Sequence, residues 1–179
     1  MSHQETDKAL YFPDYAIMEF LRSYGKGPNS KDYEFVTALV LQKFCQRQWK
    51  VPCQIGFKIK PKYSSALPAE GMITLSDMAN LFRKGIDEDN PIDVIIGKVV
   101  ETPPIPGMQF QIKLFGKGQS NLGTEGLAQF INSLGKKYAK VSLTRLLIVL
   151  DMGVEVDFTK LQSMINTKVE GTPFFRHGF

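Results

Sequence analysis

The chain has 179 residues, 43% of them hydrophobic and 22% charged, with a formal net charge of +4, two cysteines and two histidines. That length and apolar content suit a single domain with a proper core, and no apolar run is long enough to span a bilayer. The polar start, Met1 to Lys8, lacks the apolar stretch of a secretory leader, so the expectation is an intracellular protein, cytoplasmic or nuclear, without membrane contact.

The elements follow in chain order. Tyr11 to Tyr24 is expected to form a short N-terminal helix, broken by Gly25-Lys26-Gly27-Pro28-Asn29-Ser30. A stronger helix is predicted from Lys31 to Trp49 with Ser30 as its N-cap. Its wide apolar stripe (Phe35, Val36, Leu39, Val40 and Phe44, with Ala38, Leu41 and Cys45 beside them) implies burial against a sheet. Gln54 to Lys60 alternates as a strand, with Ile55, Phe57 and Ile59 on one face. Pro61 to Gly71 is expected to be a loop. Leu75 to Lys84 reads as a short helix capped by Thr74 or Ser76 and stopped by Gly85. The acidic turn Asp87-Glu88-Asp89-Asn90-Pro91 leads into a strand at Ile92, and a Pro-rich connection, Thr102 to Gly107, joins it to a strand around Phe110.

The glycine-containing loop Gly116 to Gly123 precedes a helix from Thr124 to Lys140, whose basic end suits the helix dipole. Arg145 to Asp151 is apolar on both faces and is expected in the middle of a sheet covered on both sides. A last short helix, Phe158 to Asn166, precedes the tail.

Several chemistries are disfavoured. Cys45 and Cys53 lack the close CxxC spacing of zinc sites, and His3 and His177 lie near opposite ends, so all four read as ordinary side chains. Without an internal histidine, Ser-His and Cys-His schemes have no base. Gly116-x-Gly118 followed by a helix is the beginning of a dinucleotide-binding turn, but residue 121 is Asn where a third glycine is needed. The mild positive charge permits nucleic-acid binding by counterion release without requiring it.

Two segments carry chemistry: Asn90-Pro91-Ile92-Asp93-Val94-Ile95-Ile96 and Gln109-Phe110-Gln111-Ile112-Lys113-Leu114-Phe115. The first places a carboxylate at the head of an apolar strand. In the second, a two-residue side-chain period sends Gln111 and Lys113 off the same face. An acid, a carbonyl oxygen and an ammonium converging on one sheet can hold a divalent cation and a phosphate. Glu34 shares a helix face with Ala38, Leu41 and Cys45, which turns it toward the sheet.

This layout resembles the restriction-endonuclease-like, PD-(D/E)xK nuclease superfamily, on Pro91-Ile92-Asp93, on Gln111-Ile112-Lys113, and on Glu34 as the extra acid that many members carry. Most members have Glu or Asp where this chain has Gln111, and the neutral amide removes one negative charge; the Mrr-type branch uses Gln at that place. The resemblance covers roughly residues 31 to 152. It implies an α/β fold whose core is a central mixed β-sheet of about four or five strands flanked by helices. Residues 1 to 30 would be a helical extension and residues 153 to 179 a C-terminal helix and tail.

The resemblance further implies a metal-dependent endonuclease, a hydrolase acting on phosphodiester bonds in DNA with Mg²⁺ or Mn²⁺. Magnesium prefers hard oxygen ligands and lowers the pKa of an attacking water. Asp93 would be the primary ligand, joined by the Gln111 side-chain oxygen and the Ile112 carbonyl. Lys113 would orient the water or offset charge on the phosphate. Lys58, Lys60 and Lys62, with Lys117 in the glycine loop, would line a phosphate track. A homodimer or a larger multi-protein assembly fits so short a chain. The alternative is a catalytically inactive module of the same fold that binds nucleic acid or a protein partner; a third reading is an assembly domain without nucleic-acid contact. The strand register is the internal test: Asp93 must lie across from Gln111 or Lys113, whereas tight closure at Pro103-Pro104 would put it beside Leu114 or Phe115.

Overall fold

The computed structural model describes residues 9–24, 32–64, 75–87, 89–116, 118–138, 144–151 and 153–165. The fold is α/β, with one open mixed sheet of five strands in the order β1-β2-β3-β4-β5, flanked by helices. Along the chain these are β1 (Ala9–Phe12), α1 (Asp14–Tyr24), α2 (Asp32–Trp49), β2 (Cys53–Lys58), α3 (Pro61–Ser64), α4 (Leu75–Asn80), β3 (Val94–Lys98), β4 (Ile105–Phe115), α5 (Thr124–Lys137), β5 (Thr144–Leu150) and α6 (Phe158–Met164). The chain divides into two compact units, Met1–Lys113 with Leu143–Leu147, and Leu114–Ser142 with Ile148–Phe179.

In the first unit, the N-terminal helix starts later than its sequence suggests. Ala9–Phe12 is an edge strand paired antiparallel with β2, from Ala9 opposite Lys58 to Phe12 opposite Ile55. Pro13 explains the change, because a residue before proline is pushed out of the helical region into extended backbone. The Tyr11 ring then lies over Gly56 and Gly97, where a Cβ would collide with it.

Helix α2 packs on β2 and β3 through Phe35, Ala38, Leu41 and Cys45, all buried. The expected wide stripe splits in two: Val36, Val40 and Phe44 stay 50%, 40% and 36% exposed. A straight helix turns only one face to a sheet, and these three lie on another. Its N-cap candidate Ser30 falls outside the described residues. Two glutamines tie the C-terminal half of α2 to β2. Gln42 Nε2 donates to the Cys53 carbonyl at 3.0 Å and to Gln46 Oε1 at 2.9 Å, while the Cys53 amide donates to that same Oε1 at 3.0 Å.

The core beneath α2 is aromatic. Phe35 meets Phe57 edge-on with centroids 5.5 Å apart, and Phe82 packs 5.1 Å from Phe12 and 4.8 Å from Phe20. Edge-to-face contacts of this kind add to the burial of five large rings. Phe82 comes from a π-helical turn, Leu81–Gly85, that continues α4. The segment expected to be a loop after Lys60 begins with one helical turn, Pro61–Ser64, and the rest of that loop lies outside the described residues.

Strands β3 and β4 pair antiparallel, with Val94 opposite Phe110, Ile95 opposite Gln109 and Ile96 opposite Met108. The register then shifts, so that Gly97 faces Pro106 and Lys98 faces Ile105. Gly107 is the extra residue of this bulge. A Cβ there would sit 2.5 Å from Trp49 Cη2 and 2.9 Å from the Ile96 carbonyl, which is why the position is glycine.

In the second unit, Phe115, Leu127, Ala128 and Leu161 form a small core, with α5 against α6. Asp157 caps α6 by accepting from the Lys160 amide at 3.1 Å, and Asn132 on α5 donates to the Met164 carbonyl at 3.2 Å. Strand β5, whose ends fall in the two units, stands last in the sheet order rather than in the middle, and Leu146 and Leu150 are partly exposed. An apolar run marks burial but does not specify which neighbours supply it.

Candidate functional site

The acidic turn delivers Asp93 to the sheet in a defined way. Asn90 Oδ1 accepts from the Ile92 amide at 2.9 Å, the Asp87 amide donates to the Lys58 carbonyl at 2.9 Å, and the Asp93 amide donates to the Phe110 carbonyl at 2.8 Å. Because Val94 faces Phe110, the preceding residue arrives beside Gln111. Asp93 Oδ2 accepts two hydrogen bonds, from Gln111 Nε2 at 2.6 Å and from the Ile112 amide at 2.8 Å. The side chain of Gln111 is only 4% exposed. The register test therefore falls on the side that brings the acid to the glutamine.

The roles differ from those implied by the resemblance. There, the Gln111 side-chain oxygen faces a cation; here its amide nitrogen faces Asp93, while Ile112 donates its backbone N–H, a group separate from the carbonyl that the resemblance assigns to the cation. A carboxylate can only accept, so the amide group turns its nitrogen toward it. Lys113 lies two residues further along β4 and is half-buried.

Glu34 lies in the first turn of α2, half-buried, on the face whose other members (Ala38, Leu41, Cys45) are essentially inaccessible. That face turns toward the sheet, as its spacing implies. Tyr33, which the sequence reading passed over, donates through its phenol to Glu34 Oε1 at 3.4 Å. Burial pushes the Tyr33 phenol up to about 12, reinforced by the negative charges of Glu34 and Asp93 and by the hydrogen bond to Glu34. The phenol thus sits in the field of both carboxylates, although they come from elements 59 residues apart. No local pattern marks Tyr33 beyond its adjacency to Glu34.

The lysines of the expected phosphate track occupy different environments. Lys58 is 6% exposed, Lys60 is half-buried, and Lys62 is exposed with its ammonium 5.0 Å from the Tyr63 ring centroid. Lys117 falls outside the described residues.

Among the described residues no group of three or more His, Cys, Asp and Glu side chains could hold a metal ion. Carboxylate oxygens such as those of Asp93 and Glu34 are hard donors, the ligand type that magnesium and manganese take.

Among the described residues no helix is long and apolar enough to cross a membrane. Comparison with protein-family models, with curated proteins and with solved structures returned no match.

Proposed function

We propose that this chain is a metal-dependent endonuclease with a restriction-endonuclease-like, PD-(D/E)xK core, acting on DNA inside the cell as a homodimer or within a larger assembly. The observation that carries this reading is the direct contact between Asp93 and Gln111 across β3 and β4, with Ile112 bonded to the same carboxylate oxygen. Chance placement of an acid before a strand does not by itself bring it to the first residue of a Gln-x-Lys segment.

On this reading Asp93 and Glu34 hold Mg²⁺ or Mn²⁺, and the Gln111 amide rotates to offer its oxygen. A cation held there would supply polarisation of the phosphate and a water that is a better nucleophile at neutral pH. Lys113 orients the attacking water and offsets charge developing on the phosphate oxygens. Lys60 and Lys62 contact the DNA backbone. Lys58, which is 6% exposed, and Lys117 are assigned by sequence position alone.

A second reading, a catalytically inactive module that binds DNA or a protein partner, is favoured by one observation: Oδ2 of Asp93 is already satisfied by two donors. Incubation of plasmid and single-stranded DNA with the protein and Mn²⁺ separates the two. Cleavage that is lost in Asp93→Asn and in Lys113→Ala supports the nuclease. Salt-dependent retention on DNA without cleavage supports the inactive module, and neither result leaves an assembly domain.

A further inference from the structure

We propose that Lys60, Lys62, Arg83 and Lys84 form one phosphate-binding surface at the Asp93 end of the sheet, and that the backbone of a DNA duplex lies across it. The surface rests on the nuclease reading above and adds two bases to it, Arg83 and Lys84. The four come from two short segments that the backbone joins. The Lys60 amide donates to the Gly85 carbonyl at 2.7 Å, Ile59 bridges Ile86, and the Asp87 amide donates to the Lys58 carbonyl at 2.9 Å. Tyr63 closes the same junction, its Cγ 3.6 Å from where a Cβ on Gly85 would stand. Lys62, Arg83 and Lys84 are exposed and Lys60 is half-buried. Neither residues 60–64 nor residues 81–86 include an acid; the next one along the chain, Asp87, turns its Oδ1 to the Asp89 amide at 3.3 Å.

The turn that carries Arg83 and Lys84 is anchored on both sides. Leu81, Phe82 and Gly85 are buried, and Phe82 packs 5.7 Å from Phe57 and 5.4 Å from Phe35. The two bases between these anchors are therefore presented outward on a fixed mount. Grouping like charges costs Coulomb energy that a polyanion offsets, and the counterions it releases drive binding. Arginine adds a planar fork that can grip a phosphate with two parallel hydrogen bonds. The position also fits. Gly56 faces Ile95 at this end of the β2–β3 ladder; Lys58 and Asp93 each lie two residues further on, and Lys60 two residues beyond Lys58. Phosphate contacts fix the orientation of a duplex without reading its bases, so a duplex held here brings its backbone toward Asp93.

The test follows binding of a fluorescent DNA duplex to the full chain by anisotropy, from about 50 to 200 mM NaCl. Each phosphate contact contributes about 0.9 to the slope of log affinity against log salt. Combining Arg83→Gln with Lys84→Gln makes that slope shallower by about 1–2 and weakens binding about ten- to hundredfold at the low-salt end. Combining Lys136→Gln with Lys137→Gln, two exposed lysines of α5, removes the same charge elsewhere and leaves the slope in place. An unchanged slope and affinity in the first variant, with the wild type bound, overturns this surface and leaves the nuclease reading standing. Equal losses in both variants also overturn it, since net charge alone then explains them. A shallower slope in the first variant alone, in a chain that cleaves nothing with Mn²⁺, supports the surface and overturns the nuclease. A wild-type chain that does not bind DNA at about 50 mM NaCl overturns both. Should the first variant fail to fold, Lys62→Gln alone must reduce the slope by about one, and an unchanged slope refutes the surface.

Discussion

The amide nitrogen of Gln111 lies 2.6 Å from Oδ2 of Asp93, and this contact is both the strongest feature of the site and a constraint on it. A short, charge-assisted hydrogen bond fixes the carboxylate in place. It also means that one carboxylate oxygen is committed before any ligand arrives.

Removing that acceptor leaves a buried amide and the Ile112 N–H without their partner. Asp93→Ala is therefore expected to lower stability by about 2–4 kcal/mol, the scale of two orphaned donors. Asp93→Asn keeps an oxygen acceptor and costs about 1 kcal/mol. Urea unfolding of the three proteins checks this; equal midpoints for Ala and Asn would contradict it. The Asn variant is accordingly the one to use for activity.

Gln111→Glu places a second carboxylate where the amide now sits. Two carboxylates at this distance cannot both ionise, so one proton is retained in the folded chain and released on unfolding. The folded state then binds more protons than the unfolded state, and stability falls as pH rises above the ordinary glutamate value of about 4.3. Melting curves at pH 5 and pH 8 should show the variant less stable at the higher pH. Mn²⁺ should raise its melting temperature more than that of the wild type. Equal stability at both pH values would count against this geometry.

The Tyr33 phenol, pushed up to about 12, ionises after an unperturbed tyrosine, whose ordinary value is 10.0. Its folded value is raised, so its contribution to stability is complete below about 10 and is lost as pH climbs toward 12. Tyr11 is shifted the same way by burial. Absorbance at 295 nm during alkaline titration should show a late tyrosinate fraction that shrinks in Tyr33→Phe.

Cys45 and Cys53 are both buried free thiols. Burial raises Cys45 to about 12 and also raises Cys53, against a partial opposing effect of Lys98 on each. Few thiolates form at pH 8, so a thiol reagent should label the native chain slowly and the denatured chain fully. Fast native labelling would show that the packing of α2 on β2 opens readily.

Gly107→Ala tests the bulge. The added methyl meets the Trp49 ring and the Ile96 carbonyl, so about 1–3 kcal/mol of stability should be lost, as for an overpacked core position. A neutral effect in thermal melts would mean that β4 adjusts its register without cost.

Much of the sheet chemistry could be read from local pattern. Gln111 and Lys113 alternate with the buried Phe110 and Ile112, and Glu34 lies on the buried face of α2 because helical spacing puts it there. The start of the chain could not be read this way. Tyr11 and Phe12 favour a strand and Pro13 behind them disfavours helix, but only the bare glycines of β2 and β3 in front show where that strand lies. The outer position of β5 and the exposure of Val36, Val40 and Phe44 were likewise hidden, since hydrophobicity reports a preference for burial and not the partner that provides it.

The amino-acid order alone determined which residues could share a face, because the periods of strand and helix are properties of the local backbone. It put the acid at the head of β3 and the glutamine and lysine on one side of β4. Only the tertiary structure decided that Asp93 meets Gln111, that the amide presents nitrogen to it, and that Tyr33 feels both carboxylates. Those facts depend on strand register and helix placement, which are settled by contacts between residues far apart in the chain.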